Sequence, residues 1–221
     1  MTDNGKSGIA LVAGSACGLV TMAIHPTAAG VATRAGYEHL ALVSGAAHSI
    51  GIISVAVVFL GACGLTRRLH SSDLFFALAG LVAYGVAVVS ALIAAAISGF
   101  VEPGIMLRMT RDVPAAAPQW HIVIDAVFQI NQAFGRIFAI AASGAVFLWS
   151  AAALRNGRLG RGLAVYGCVL APAIIAGVLI GHLRMDVHGF TAIVVAQASW
   201  FAGAGAQLYR AGEAVPAVAH P

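Results

Sequence analysis

The stretch from Leu74 to Ser98, LFFALAGLVAYGVAVVSALIAAAIS, runs for 25 residues without one charged side chain. At about 1.5 Å of rise per residue, such a helix is long enough to cross the ~30 Å hydrocarbon layer of a bilayer. A helix is also what lipid demands, because it pairs its own backbone donors and acceptors. Working outward from this run, five more apolar segments stand out: Gly8 to Gly30, Ala41 to Leu65, His121 to Leu154, Gly162 to Leu183 and Gly189 to Tyr209. Each is long enough to span. The expectation is an all-α, polytopic integral membrane protein, with six transmembrane helices in one bundle that takes up residues 1–221 as a single domain.

Composition agrees. Of 221 residues, 60% are hydrophobic and 9% are charged, and the mean hydropathy is +0.92. Soluble domains carry nearer a quarter charged residues. The net charge of +4 comes from scattered arginines, with no clustered basic face of the kind nucleic-acid binding requires. Cys17, Cys63 and Cys168 sit far apart in apolar runs and suggest buried thiols, with no disulfide framework. The first apolar run is too long for a signal peptide's core. It is expected to be a retained helix that bends or ends at His25-Pro26, where proline removes a donor. Gly80, Gly85, Gly203 and Gly205 are expected on packing faces, since small residues let membrane helices approach closely.

Basic residues set an expected orientation. Lys6, Arg67, Arg68, Arg155, Arg158, Arg161 and Arg210 fall on the side of the termini, against Arg34, Arg108, Arg111 and Arg184 on the other. Seven against four places both termini in the cytoplasm of a bacterial inner-membrane protein. The longest connection, Gly99 to Gln119, holds Glu102, Pro103, Asp112, Pro114 and Pro118. At that length a functional lid is one expectation and a loosely ordered loop the other. Trp120 fits an interfacial anchor.

Polar residues inside the fourth span carry the first candidate site. At 100° per residue, with Asp125 as zero, His121 falls near about −40°, Gln129 near +40°, Gln132 near −20° and Arg136 near +20°. Ser143 and Ser150 continue the line, and Asn131 falls off it. Such a stripe is expected to face the bundle interior or a cavity. Arg136 lies about 22 Å along the axis from His121, near mid-bilayer on this topology. It would either fix helix packing or, with Gln132 and Gln129, bind an anion or a small ligand.

Histidines carry the second. His25, His39, His48, His121, His182 and His188 all map to the end opposite the termini, together with Glu38, Glu102, Asp112, Asp125 and Asp186. His25, His48, His121 and His182 are the candidate metal ligands, and Asp125 sits one turn from His121, placed to orient it. His48, His121 and His182 are expected to converge in one pocket. His70 and His220 fall at the other end and look incidental. No spaced metal motif, phosphate loop or nucleophile elbow is present.

Three functional readings stay open. In one, zinc activates water, or paired imidazoles ligate haem, with Asp125 and His121 as catalytic groups acting on a lipid-borne or small-molecule substrate. In another, the stripe lines a path for a small solute or proton. In the last, the polar groups only pack helices in a structural subunit. Beyond the lipid bilayer itself, no partner is specified.

Overall fold

The structure, a computed structural model, describes residues 1–27, 33–70, 73–111 and 117–213, with the side chains of 117 and 118 left aside. Every regular element among them is helical: α1 (Asp3–Ala23), α2 (Arg34–His70), α3 (Leu74–Ala96), a π-helical turn (Ile97–Val101), α4 (Glu102–Met109), α5 (Ala117–Asn156), α6 (Arg161–Leu179) and α7 (Val187–Glu213). With α3, the π turn and α4 taken as one run, six helices are long and apolar enough to cross a membrane, packed in one bundle. Gly212 of α7 lies against Thr2 and Gly5 of α1, so the two terminal helices begin and end side by side.

Local chemistry explains where the boundaries moved. α1 starts at Asp3 because the Thr2 hydroxyl accepts from the Gly5 N–H at 3.2 Å. It stops at Ala23, well short of Gly30, because a residue before proline is pushed out of the helical region and Pro26 has no N–H to give. The expected connection from Gly99 to Gln119 is the larger correction: the chain stays helical to Met109 and is helical again from Ala117. Pro103 sits in the first turn of α4, where a missing N–H is tolerated, and the wider π turn precedes it. A lid of that length is therefore not formed by the described residues; Asp112 and Pro114 lie outside them.

Small residues hold the bundle together. A Cβ on Gly8 would come within 2.5 Å of the Gly205 carbonyl oxygen, which brings α1 and α7 to backbone contact. A Cβ on Gly80 would meet the Trp149 ring at 2.6 Å, and one on Gly203 the Leu163 side chain at 2.9 Å. Gly85 differs from the expectation: nothing lies within 4 Å of where its Cβ would be. Between the helices sits an aromatic layer. The rings of Trp149 and Trp200 stack at 6.2 Å, Tyr84 and Phe201 lie 5.2 Å apart, and the Trp149 indole donates to the Ala77 carbonyl at 3.1 Å.

The helices differ widely in length. α6, with 19 residues, is about 28 Å long and just matches the hydrocarbon layer. α5, with 40 residues, is about 60 Å long. Counting back from the Asn156–Arg161 turn, Arg136 lies about 30 Å along α5, slightly past the level at which α6 ends. Residues before Arg136 on α5 thus extend beyond the cover of α6.

Candidate functional site

A cavity of about 210 Å³ opens between α1, α2, α3, α5 and α7, on the half of the bundle away from the termini. It reaches the surface beside exposed Asp186, whose carboxylate caps α7 by accepting from the Gly189 N–H at 2.8 Å. Its walls are mostly aliphatic and aromatic, Val55, Phe138 and Phe190 among them. Tyr84 and Phe201 line its inner end, where the aromatic layer closes it off. Tyr84 is 4% exposed, and its hydroxyl has no protein hydrogen-bond partner among the described residues. From the level of His48 to that of Tyr84 the cavity extends about 18 Å along the bundle, by residue counts on α2 and α3.

Two histidines stand in its wall. The rings of His25 and His48 meet edge to face, with centroids 4.9 Å apart and planes at 70°. His25 comes from the segment after α1 that Pro26 breaks open; His48 comes from α2 and is 7% exposed. Each ring is fixed by its own backbone. His25 Nδ1–H donates to the Pro26 carbonyl at 3.0 Å, and His48 Nδ1–H donates to the Ser44 carbonyl at 2.8 Å. A carbonyl only accepts, so Nδ1 carries the hydrogen in both rings, and in the neutral form Nε2 is the lone-pair atom. Neither Nε2 has a protein partner among the described residues. Burial lowers the affinity of His25 for a proton below that of ordinary histidine, an effect partly offset by its bond to Pro26.

A polar brace stands behind His48. The Ser44 hydroxyl donates to the Ser98 carbonyl at 2.9 Å, and the Asn131 amide donates to the Ser98 hydroxyl at 2.7 Å. α2, the end of α3 and α5 are tied together at one level. The π turn brings Gly99 so close that a Cβ there would lie 2.6 Å from His48 Cβ. On the far wall, Gln132 donates to the Met185 carbonyl at 3.1 Å, and Gln197 donates to Ser143 at 3.0 Å. π turns recur where a backbone must be displaced locally for function.

The expected site residues divide. His25 and His48 come together and Gln132 shares their cavity, but His121, Asp125, Gln129 and Arg136 are all exposed. Only the lower part of the stripe is interior, with Ser143 and Ser150 fully buried. Beyond the end of α6 at Leu179, α5 keeps only partial cover, with Gly135 buried and Asn131 and Gln132 half-buried. Arg136 is exposed on the outside of the bundle, at about the level where α6 ends.

His121 lies ten residues, about 15 Å, along α5 from Asn131, which sits level with Ser98 beside His48. His182 is exposed in the turn after α6. The convergence of His48, His121 and His182 is not what the helices build. Among the described residues no group of three His, Cys, Asp or Glu side chains is placed to hold a metal. Two imidazole nitrogens fall short of the three or four protein ligands typical of zinc sites. Rings in direct edge-to-face contact also leave no gap for a flat macrocycle. His39 and His188 are exposed at the same end, and Glu38 pairs with Arg34 at 3.0 Å.

Ser44, Tyr84, Ser98, Gly99, Asn131 and Gln197 were not anticipated. Ser44 was open to discovery from its spacing, one turn from His48. Asn131 was set aside because the wheel was centred on Asp125, on the face that turned out to be exposed.

Fold and site together define a polytopic α-helical membrane protein with a half-enclosed cavity and a histidine pair in its wall. Comparison with family models, curated protein sequences and solved structures finds no match to the chain.

Proposed function

We propose that the protein is a multi-pass inner-membrane protein that binds a small, uncharged, largely apolar solute and exchanges it against a proton at the His25–His48 pair. The observation that carries this reading is the fixed tautomer of the pair. With each Nδ1–H tied to a carbonyl, the chemistry left to the cavity is two Nε2 lone pairs. A lone pair can accept a hydrogen bond from an N–H or O–H group of a solute, or it can take a proton. It cannot do both. One proton on the pair removes one of its two acceptors, so solute and proton draw on the same atoms, which is the minimal chemistry of exchange.

The rest of the cavity fits that ligand class. Apolar walls suit an uncharged body, and the Tyr84 hydroxyl offers one more hydrogen bond at the inner end. The pair should hold one proton rather than two. Two unit charges 4.9 Å apart repel by about 3 kcal/mol at an effective dielectric near 20. The aromatic layer beneath would seal the cavity from the side of the termini. The seven-to-four basic bias supports termini in the cytoplasm and a cavity that opens outward.

Phenol and toluene test the idea, since they share a shape and differ by one O–H donor. In ¹⁵N-histidine-labelled protein, phenol should shift the Nε2 resonances of His25 and His48, while toluene should not. The phenol affinity should fall as pH is lowered. Equal shifts from both compounds, or a phenol shift that persists in a cavity-filling Ala94→Trp variant, would refute the assignment.

A further inference from the structure

The opposite end of the bundle, where the termini lie, holds a second hollow that the solute site does not use. Asp3, Asn4 and Ser7 of α1, Gly64, Arg67 and Arg68 of α2, and Arg158 of the turn between α5 and α6 surround it. We propose that it binds a phosphate group, presented by the headgroup of an anionic phospholipid.

The arrangement of charge argues for an anion. Three guanidinium groups line the hollow against one carboxylate. That carboxylate, Asp3, already pairs with Lys6 at 3.5 Å. The ion pairs among the described residues are Lys6–Asp3, Arg34–Glu38 and Arg155–Asp73, so Arg67, Arg68 and Arg158 have no acidic partner there. Nor are these arginines independent orientation charges. Arg68 Nε–H donates to the Arg158 carbonyl at 3.2 Å, which draws α2 onto the α5–α6 turn and holds two cationic residues side by side. Like charges held together without a counterion create a strong local preference for an anion, and guanidinium matches phosphate oxygens in geometry.

The hollow is preformed. The Ser7 hydroxyl donates to the Asp3 carbonyl at 2.8 Å, and Ser7 packs where a side chain on residue 64 would otherwise sit. The amino end of α1 adds the positive end of its helix dipole.

Position favours a lipid over a free ion. Arg67 and Arg68 lie in the last turn of α2, at the membrane surface on the side that basic residues mark as cytoplasmic. Roughly two turns further into the bilayer on the same two helices, Leu60 is 67% exposed and Ile9 is 45% exposed. Such side chains are covered by acyl chains. Basic pockets between helices at this level are suited to anionic headgroups.

Native mass spectrometry of the full chain in detergent tests this with three probes: phosphatidylglycerol, phosphatidylcholine and inorganic phosphate. Phosphatidylglycerol should bind at least about tenfold tighter than phosphatidylcholine. The combined Arg67→Gln, Arg68→Gln, Arg158→Gln variant should lose that preference. Removing Arg108, Arg136 and Arg184 at the other end should leave it intact, which controls for net charge. Millimolar inorganic phosphate that fails to displace the lipid supports the headgroup as the source. Displacement by phosphate that disappears in the triple variant supports the same phosphate site with a soluble occupant. Equal binding of the two lipids overturns the proposal, as does a preference that survives the triple substitution or falls equally with the far-end arginines.

Discussion

Replacing Gly99 with alanine adds one methyl group and tests the central claim about how His48 is held. The new Cβ would lie 2.6 Å from His48 Cβ and 3.0 Å from its Cγ. Ordinary carbon–carbon contact is about 3.5–4.0 Å, so about 1 Å must be found. Rotating the imidazole does not help, because the nearest atom is the Cβ fixed to the α2 backbone. The π turn and α2 must move apart. That separation stretches the 2.9 Å bond from Ser44 to the Ser98 carbonyl and draws His48 off His25.

Overpacking of this kind costs about 1–3 kcal/mol, and a weakened hydrogen bond adds about 1. Better helix propensity of alanine returns less than about 1 kcal/mol. The expected net loss is about 1–3 kcal/mol. Gly85 provides the control: nothing lies within 4 Å of its Cβ position, so Gly85→Ala should be neutral or stabilise by up to about 1 kcal/mol. Equilibrium unfolding in mixed micelles, followed by tryptophan fluorescence, measures both. Phenol binding should weaken in Gly99→Ala alone. If both variants match wild type within about 0.5 kcal/mol and bind phenol equally, the π turn does not set the position of His48.

Stability should depend on pH through His25. Its proton affinity is lowered by burial, so the folded state binds fewer protons than the unfolded chain just below the ordinary value of 6.5. The contribution of neutral His25 is complete above that pH and is lost as pH falls through the window beneath it; the melting temperature should drop from pH 7 to 5, and less so in His25→Gln. Arg136→Leu should change stability by less than about 1 kcal/mol, since the side chain is exposed, whereas Gln132→Leu should loosen the turn around Met185 and raise hydrogen exchange there. A strong destabilisation by Arg136→Leu would restore the interior stripe. Reporter fusions after Arg68 and Arg158 should read cytoplasmic and those after Arg111 and Arg184 outside; the reverse pattern would turn the cavity inward.

The class of fold was legible because lipid leaves few options. An uncharged run such as Leu74 to Ser98 has to be a helix, and its length sets a minimum. What composition does not show is where a long helix leaves the membrane. α5 reads as one continuous span from His121 to Leu154, yet its buried residues begin only at Gly135. The helical wheel puts His121, Asp125, Gln129 and Arg136 on one face, but a wheel has no vertical scale. Polar residues on a helix are compelled inward only where the surroundings are apolar, and a wheel does not say along which part of α5 that holds.

The histidine pair was half legible for a related reason. His25 and His48 were among six histidines at one end, and nothing in their spacing set them apart from His121 or His182. Pairing follows from tertiary facts. Pro26 ends α1 so that His25 can turn inward, and the π turn presses α2 at Gly99. Ser44 and Pro26 supply carbonyls that fix both Nδ1 atoms. The same facts limit the chemistry. A ring whose Nδ1–H is spent on the backbone keeps one lone pair, and two such rings in contact share little more than one proton between them. A site of that kind suits reversible exchange with a donor-bearing solute better than it suits a cation, which would need further ligands, and α5 carries Asp125 and His121 about 9 and 15 Å further along its axis.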